Sequence, residues 1–405
     1  MELPFYFTDH HREVREMVRE FARTEVAPVA REFDRTSEFP WDNIRKMGEL
    51  GLLGVPWDES LGGAGMDQVS YYLVLHELAK VDASHALTVS AHTNLGTSPI
   101  VEFGTPEQRR RYVPLLAGGK VLGGFGLTEA GAGSDAGGTA TTAVDKGDHY
   151  LLNGAKVFIT HAGVGEIFSV TARTSPGPGH RGITSFIVTK DTVDLEQCRA
   201  VGVGHAADLP KTRGVRAGKK EEKMGWRASD TRELILEDAV VPKENVLGRV
   251  GEGFVNFLKT LDAGRIGIAA VSLGIAEGAY EEAVRYAGTR RQFGAPIGSF
   301  QGVSFQLADM ATEIQAGTHL LYHAAWLKQH GHPFKKEAAM AKLYCSELAM
   351  RVTTKAVQVL GGYGYTTDYP VERMMRDAKV CEIGEGTSEI QRIVISRHIL
   401  GALEG

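Results

Sequence analysis

Glycine-rich stretches are where this chain of 405 residues offers the most chemistry. Three of them are Phe125–Asp135, Arg290–Gly294 and Leu360–Tyr365, and two further glycines flank Glu385 in the run Ile383–Arg392. Glycine lets another molecule approach the backbone closely, so that exposed N–H groups can bind anionic or polar groups. Each stretch alone is equally consistent with tight turns, and the glutamate alone with an ordinary carboxylate at a helix start. Their occurrence together, in this order, indicates a ligand site.

Common catalytic and nucleotide-binding motifs are absent from the sequence. It contains no GxxxxGK[ST], GxSxG or HExxH. The run Gly131–Gly133 falls in a predicted β region and does not open the helix that a dinucleotide fingerprint needs. The three cysteines (Cys198, Cys345 and Cys381) form no CxxC pair, and the histidines show no ligand spacing. We therefore expect no metal site, no disulfide framework and a reducing compartment.

Charge and hydropathy narrow the function class further. The formal net charge of −5 argues against a generic nucleic-acid binder, because neutralising phosphates requires a basic face. The N terminus lacks the basic start and apolar run of a secretory signal. The longest apolar stretch, Ile266–Ala276, is too short to span a bilayer. We expect a cytoplasmic protein that has no integral membrane segment and binds no nucleic acid.

The elements that must position these stretches change character twice along the chain. Residues 1–122 show helical periodicity, with a helix predicted after Thr8 and another from Pro106 to Ala117 capped by Thr105. Residues 123–245 show short β-branched and aromatic segments between turn residues, which predict an antiparallel sandwich or barrel. Residues 246–405 return to long helices, one of them Lys335–Leu360. The order therefore predicts three domains: helical, β and helical.

One segment fits neither pattern. Val193–Lys211 has no clear period and lies between predicted strands, just before a basic run. A loop of this length is usually functional or disordered, although it can also be a tolerated surface insertion. The segment could either contact a partner protein or make no contact.

The glycine-rich boxes resemble those of one family. T-E-x-G-A-G-S-D at 128–135, R-x-x-F-G at 290–294 and E-G-T-S-E-I-Q-R at 385–392 are similar to the boxes of the flavin-dependent acyl-CoA dehydrogenases, nearest to the short-chain and medium-chain branches. The resemblance covers nearly the whole chain except 193–211. It implies an α+β multidomain fold with an N-terminal helical domain, a central antiparallel β domain and a C-terminal four-helix bundle, assembled as a homotetramer.

The family chemistry removes two hydrogens across Cα–Cβ of an acyl-CoA thioester to give a trans-2-enoyl-CoA. The resemblance identifies Glu385 as the base that takes the α proton, while the β hydrogen leaves as hydride to flavin N5. Another branch of the family carries its base on a C-terminal-domain helix just before an Arg. That place is Gly264, before Arg265, so Glu385 is the one candidate base.

The resemblance also assigns binding residues. Those similar to the family's FAD contacts are Phe125, Leu127, Thr128, Gly133, Ser134, Phe158, Thr160, Arg290, Phe293, Gln358, Gly361, Gly362, Thr387 and Glu389. Among these, the Arg290, Phe293, Gln358, Gly361 and Gly362 group would reach the FAD of a neighbouring subunit. Those similar to acyl-CoA contacts are Ser134, Asp262, Arg265, Glu385 and Gly386. For each polar residue, a plain surface position is the alternative.

Two departures from the family pattern affect the substrate and cofactor pockets. Many members have Trp where this chain has Phe158, and most have Tyr where it has Gly384. Loss of that Tyr ring predicts a wider pocket and tolerance of a bulkier acyl group.

The resemblance implies acyl-CoA as substrate, FAD as cofactor and electron-transfer flavoprotein as electron acceptor. The pathways it implies are fatty-acid or branched-chain acyl catabolism. Two alternatives stay open: an acyl-CoA oxidase of the same fold, and a flavin-free acyl-CoA-binding protein. Hydrogen peroxide formation would identify the first, and purified protein without a yellow spectrum would identify the second.

Overall fold

The computed structural model describes residues 6–176 and 180–401 and begins with a helical region. Thr8 caps the first helix and Thr105 caps the seventh through a reciprocal capping box with Gln108, as the sequence predicts. The α-helices of this region are α1 (Asp9–Phe21), α2 (Ala27–Thr36), α3 (Trp41–Glu49), α4 (Gln68–Ala79), α5 (Ala83–Ser90), α6 (Ser98–Phe103) and α7 (Pro106–Ala117). A five-residue π-helix, Ala22–Val26, joins α1 to α2, and a seven-residue one, Ala91–Thr97, joins α5 to α6.

The central region is a sheet of eight strands. They are β1 (Gly123–Gly126), β2 (Thr142–Asp145), β3 (His149–Thr160), β4 (Ile167–Arg173), β5 (Ile183–Thr189), β6 (Val215–Lys220), β7 (Thr231–Pro242) and β8 (Val246–Leu247). The strand order is β6-β7-β3-β2-β4-β5-β8, with β1 paired to β4. Most pairs are antiparallel, but β1 and β2 both run parallel to β4, which the sequence did not predict. Strand β1 pairs with the first half of β4 and β2 with its last residue, so the loop 127–141 connects two strands that point the same way along β4.

Long helices return after β8. They are α9 (Gly253–Thr289), α10 (Gln301–Gln329), α11 (Lys335–Leu360), α12 (Gly362–Tyr365), α13 (Val371–Cys381) and α14 (Ser388–Gly401). The two-residue strands β9 (Arg291–Gln292) and β10 (Ala295–Pro296) form a small hairpin after α9. Helices α9, α10, α11 and α13 pack on one another, which agrees with the predicted C-terminal bundle. In the described part of the chain, no helix is both long and apolar enough to cross a bilayer.

One apolar core joins the two helical regions, whereas the sheet has its own. Tyr72 of α4 and Ile268 of α9 belong to the first core, and Phe168 and Phe186 belong to the second. Helix α4 can approach α9 closely because Gly274 presents no side chain: a Cβ there would overlap the backbone carbonyl of His76. The N-terminal helices therefore pack directly on the helix that forms one wall of the site described below.

The segment 193–211 contains a helix and is packed against the rest of the chain, unlike the loop that its irregular pattern suggested. Helix α8 (Leu195–Val201) buries Cys198, and Leu209 enters a core cluster with Tyr112. Gly204 lies against the ring of Trp41, where a Cβ would overlap the indole. The helix escapes periodicity analysis because it spans only seven residues.

Glu166, which is fully buried, anchors this segment. Its two carboxylate oxygens accept hydrogen bonds from His205 Nδ1 at 2.7 Å, Lys211 Nζ at 2.7 Å and the backbone N–H of Ala206 at 3.1 Å. Glu166 thus holds residues 205–211 against the start of β4.

We expect Glu166→Ala to lower the free energy of unfolding by about 3 kcal/mol, because it removes the buried acid that pairs with Lys211 and His205 and leaves Lys211 only the more distant, exposed Asp191 at 3.5 Å. Chemical denaturation measures this loss, and limited proteolysis should show new cleavage within 193–211. The matched control is Glu237→Ala, which breaks a solvent-exposed pair with Arg216 and should change little. Equal stability of both variants would contradict the anchoring role.

Candidate active site

Glu385 lies in the turn between α13 and α14, at the centre of the candidate site. Its backbone adopts φ +53°, a left-handed conformation that costs a residue other than glycine about 1–3 kcal/mol. The side chain is half-buried, and its Oε2 atom is buried without a hydrogen-bond partner among the described residues. A strained residue with an unpaired carboxylate oxygen is typical of a functional group rather than of a stabilising one.

The room for this carboxylate comes from Gly264 on α9. A Cβ built at Gly264 would overlap Glu385 Oε2 and would lie 3.0 Å from Asn94 Nδ2. The predicted base and Gly264, the alternative base position considered in the sequence analysis, therefore face the same small volume. Asn94 lies in the seven-residue π-helix, a type of segment frequent at functional sites, and the sequence analysis did not identify it.

The electrostatic environment makes Glu385 a usable base. Burial raises its pKa to about 7, because the ionised form loses contact with water. The positive charges of Lys342 and Arg265 oppose this effect. A carboxyl with a pKa near neutrality has the greatest combined probability of being unprotonated and of accepting a proton at working pH.

Side chains from two other helices hold the turn. Gln391 Nε2 on α14 donates to the Gly386 carbonyl at 2.8 Å and to the Glu385 carbonyl at 3.3 Å. Lys342 Nζ on α11 donates to the same Gly386 carbonyl at 2.8 Å. Gln391 belongs to the E-G-T-S-E-I-Q-R box and could have been noticed there, whereas Lys342 carries no sequence signal beyond its position in an apolar helix.

Predicted substrate-contact residues lie on α9 and at the turn. Asp262 and Arg265 form an ion pair one helical turn apart, and Arg265 Nε is buried without a hydrogen-bond partner in the described residues. Burial raises the pKa of the Asp262 carboxyl above its ordinary value. Gly386, at φ +95°, follows the base directly. Asp262 and Arg265 thus flank Gly264 on the helix that faces Glu385.

A second group of predicted residues gathers at one end of the sheet. The Thr128 carbonyl accepts a hydrogen bond from Val157 N at 2.9 Å, which places Thr128 beside Phe158 on β3. Phe158 adopts φ +57° and leaves 68% of its surface exposed. The Thr160 carbonyl lies beside Gly124, where a Cβ would approach it to 2.9 Å. These residues form one contiguous surface, with the Thr128 and Thr160 hydroxyls free of hydrogen-bond partners in the described chain.

Phe125 connects that surface to the base. Its ring stacks on Phe257 of α9 at a centroid distance of 4.0 Å, about two turns before Gly264. Behind the surface, Lys156 pairs with Glu129 at 2.6 Å; both side chains are buried, and the acid also accepts from the backbone N–H of Thr141. Glu129 of the first glycine-rich box is therefore a structural anchor, while buried Leu127 offers its carbonyl to Lys156.

The remaining predicted residues divide into two places. Gly133 and Ser134 are exposed on the loop between β1 and β2, and Thr387 and Glu389 begin α14 directly after the base. Arg290 ends α9, with its guanidinium 5.7 Å from the Tyr363 ring, and so adjoins the exposed residues Gln358, Gly361 and Gly362. Since Gly264 and Arg290 are 26 residues apart on one helix, this group lies roughly 40 Å from the base. Phe293 beside it is 96% exposed.

Family models match three parts of the chain. They are the N-terminal domain of acyl-CoA dehydrogenase over residues 8–120, its middle domain over 124–239 and its C-terminal domain over 251–400. The middle-domain match extends across the segment 193–211.

Individual proteins are similar over nearly the full length. A short-chain specific acyl-CoA dehydrogenase of Clostridium acetobutylicum is 49% identical over 98% of this chain and 100% of its own. The caffeyl-CoA reductase-Etf complex subunit CarC of Acetobacterium woodii is 44% identical over 98% of this chain and 99% of its own. The solved butyryl-CoA dehydrogenase of Megasphaera elsdenii matches with a TM-score of 0.91 at 43% identity, covering 99% of this chain and 100% of its own.

The raised pKa of Glu385 predicts a titration that can be observed without any substrate. Infrared spectra should contain a carbonyl band of a protonated carboxylic acid that disappears as the pH rises through about 7. Burial also raises the pKa of the Asp377 carboxyl to about 7, so the Glu385 band is the component that is present in wild type and missing from Glu385→Gln. A wild-type protein whose spectrum matches that of Glu385→Gln above pH 5 would contradict the assignment.

Proposed function

The chain belongs to the acyl-CoA dehydrogenase family, and from that premise we propose that it oxidises a saturated acyl-CoA thioester to the trans-2-enoyl-CoA with Glu385 as base. The observation that carries the proposal is the buried Glu385 carboxyl, with a pKa near 7 and one oxygen that has no partner in the described chain. Such a group accepts a proton from a weakly acidic C–H placed against it more readily than an ordinary surface carboxylate does.

The thioester itself must be oriented for that proton to become acidic. Hydrogen bonds to its oxygen stabilise the charge that develops as the α proton leaves. The backbone N–H of Glu385 is the proposed donor from this chain, and the hydrogen bonds of Lys342 and Gln391 fix the peptide that follows it. Ser134, Asp262 and Arg265 are the proposed contacts to the CoA arm.

FAD is the cofactor of this family, and the surface around Phe158 fits it. When bound, FAD supplies the acceptor for the hydride. The exposed Phe158 ring offers an aromatic face, and the Thr128 and Thr160 hydroxyls are available to hydrogen-bond polar atoms of a ring system. Phe125, Leu127, Gly133, Ser134, Thr387 and Glu389 complete the proposed contacts from the same subunit.

A second subunit completes the cofactor site in this proposal. Arg290, Phe293, Gln358, Gly361 and Gly362 lie too far from Glu385 to serve the same FAD within one chain, and the ring of Phe293 projects into solvent. We assign them to the FAD of a neighbour in a homotetramer. Arg290 suits this role because guanidinium groups bind phosphates through paired donors.

Electron-transfer flavoprotein is the proposed electron acceptor, and a cytoplasmic location is part of the proposal. Support comes from the Acetobacterium woodii relative, whose name places it in an Etf complex. An oxidase and a flavin-free acyl-CoA-binding protein of the same fold remain the alternatives. Hydrogen peroxide formation distinguishes the first, and purification without a flavin spectrum distinguishes the second.

Replacement of the base tests the reaction. Glu385→Gln should bind acyl-CoA yet reduce its flavin about 100- to 10,000-fold more slowly, because the amide cannot take the α proton. Anaerobic bleaching of the flavin by butyryl-CoA measures the rate. In wild type, that rate should rise with pH through about 7, since only the unprotonated carboxyl acts as a base. Glu347→Gln removes an exposed acid paired with Arg392 and is the control. Bleaching by Glu385→Gln at the wild-type rate would refute the assignment.

Gly384 provides a test of substrate range. A Cβ at this position would meet only the Val380 carbonyl, at 3.5 Å, and its φ is not left-handed, so Tyr fits the backbone. Gly384→Tyr should therefore fold and should lower kcat/KM for long and branched acyl-CoA more than for butyryl-CoA. A panel of thioesters from four to sixteen carbons measures the profile. An unchanged profile would count against a pocket widened by Gly384.

A further inference from the structure

Lys342 is a buried lysine whose hydrogen bond helps to fix the turn but whose charge has no role in the proposed reaction. Its side chain lies in the middle of α11 with no exposed surface, and burial lowers its pKa to about 8. Within residues 6–176 and 180–401, its one hydrogen bond runs from Nζ to the Gly386 carbonyl at 2.8 Å. A buried ammonium group normally has an anionic partner, because leaving water is costly for a charge. Here the hydrogen-bond partner is a neutral carbonyl, and the anion must be sought nearby.

The acid adjacent to this hydrogen bond is Glu385, the residue directly before Gly386. Lys342 is the strongest positive influence on the Glu385 carboxyl, ahead of Arg265. Lys342 lies on α11 and Arg265 lies on α9, whereas Glu385 lies in the turn that precedes α14. The titratable and charged groups that act on Glu385 or Lys342 from the elements packed around them are Tyr71 and Tyr72 on α4, Arg265 on α9, Cys381 on α13, Glu382 after it and Glu389 on α14.

Gln391 donates to the same carbonyl as Lys342, so the hydrogen bond of the lysine can be considered apart from its charge. Gln391 Nε2 donates to the Gly386 carbonyl at the same 2.8 Å and also reaches the Glu385 carbonyl. One neutral donor would therefore suffice if the turn needed only a hydrogen bond. What Lys342 adds is a positive charge next to a carboxylate that must be ionised before it can act.

We propose that Lys342 is a positioning residue for catalysis, which fixes the Glu385–Gly386 peptide through the Gly386 carbonyl and sets the pH at which Glu385 becomes an active base. The inference rests on the proposed function, because it names a further residue for the same reaction. Removing the charge favours the neutral carboxyl, so the base should ionise only at higher pH.

The test compares two lysines of the same bundle. Lys342→Met removes the charge and the donor at the turn, and Lys328→Met removes another lysine with a lowered pKa, whose hydrogen bond goes to Gln68 on α4. The first readout is the infrared titration of the Glu385 carboxyl in the FAD-loaded protein without substrate. We expect its midpoint to rise by about one pH unit in Lys342→Met and to stay unchanged in Lys328→Met.

The second readout is the rate of flavin reduction by butyryl-CoA. With a midpoint moved from about 7 to about 8, the rate at pH 7 should fall about fivefold beyond any loss that persists at pH 9. Lys342→Arg retains a charged donor and should return the midpoint toward the wild-type value. If Lys342→Met fails to fold, Lys342→Gln supplies a neutral donor for the same measurement.

The outcomes separate this inference from the proposed reaction. A midpoint in Lys342→Met equal to wild type, or an equal shift in Lys328→Met, overturns the role of Lys342. A midpoint in Lys342→Arg equal to that of Lys342→Met also overturns it. A wild-type protein that no acyl-CoA bleaches refutes the proposed function instead, and the infrared midpoints still decide whether Lys342 controls the carboxyl.

Discussion

A carboxylate whose Oε2 atom is buried without a hydrogen-bond partner in the described chain is the constraint on which the rest of this structure depends. Water would stabilise the ionised form of Glu385 by several hydrogen bonds, and the fold withholds them from Oε2. The turn also keeps the residue at φ +53°. Neither condition stabilises the fold, so each must be imposed by the elements around the turn. They are imposed by α9, which leaves a space at Gly264, and by α11 and α14, which bond the Gly386 carbonyl.

Helix α9 relates the separate parts of the site to one another. Near its start, Phe257 stacks on Phe125 at the edge of the sheet, and about two turns later Gly264 faces Glu385. Its far end leads into the exposed hairpin with Phe293. Because a single helix of 37 residues behaves as a rigid rod over these distances, the spacing between the base and the hairpin is fixed by backbone geometry. The sheet contributes the aromatic and hydroxyl surface, and the N-terminal helices complete the wall through α4 and Asn94.

Much of the architecture could be predicted from the sequence, because it is recorded in local signals. Caps at Thr8 and Thr105 and the periodicity of α11 gave helix bounds that agree with the structure to within a residue. The parallel pairing of β1 and β2 with β4 could not be predicted, since strand alternation carries no information on direction. Helix α8 was missed because it spans only seven residues, and the segment around it is held by contacts with Trp41 and the buried Glu166, which are remote in sequence.

In the candidate site, too, some features follow from local sequence and others only from the packed fold. Glu385 was identified from its box, yet its raised pKa depends on burial that only the packed helices create. Lys342 and Asn94 carry no local signal and become recognisable only in the folded chain, where Lys342 meets Gly386, 44 residues away, and Asn94 meets Thr260, 166 residues away. The roles of the residues that contact the cofactor and substrate remain predictions.

The shared volume between Gly264 and Glu385 has an evolutionary consequence. Only one side chain can fill that space, so a lineage that moves its base to the helix must shorten the residue in the turn as the glycine at 264 gains a side chain. Either single replacement alone leaves the space overfilled or without an acid. The two attachment points are therefore mutually exclusive in this fold, because an acidic side chain at 264 and one at 385 would occupy the same space.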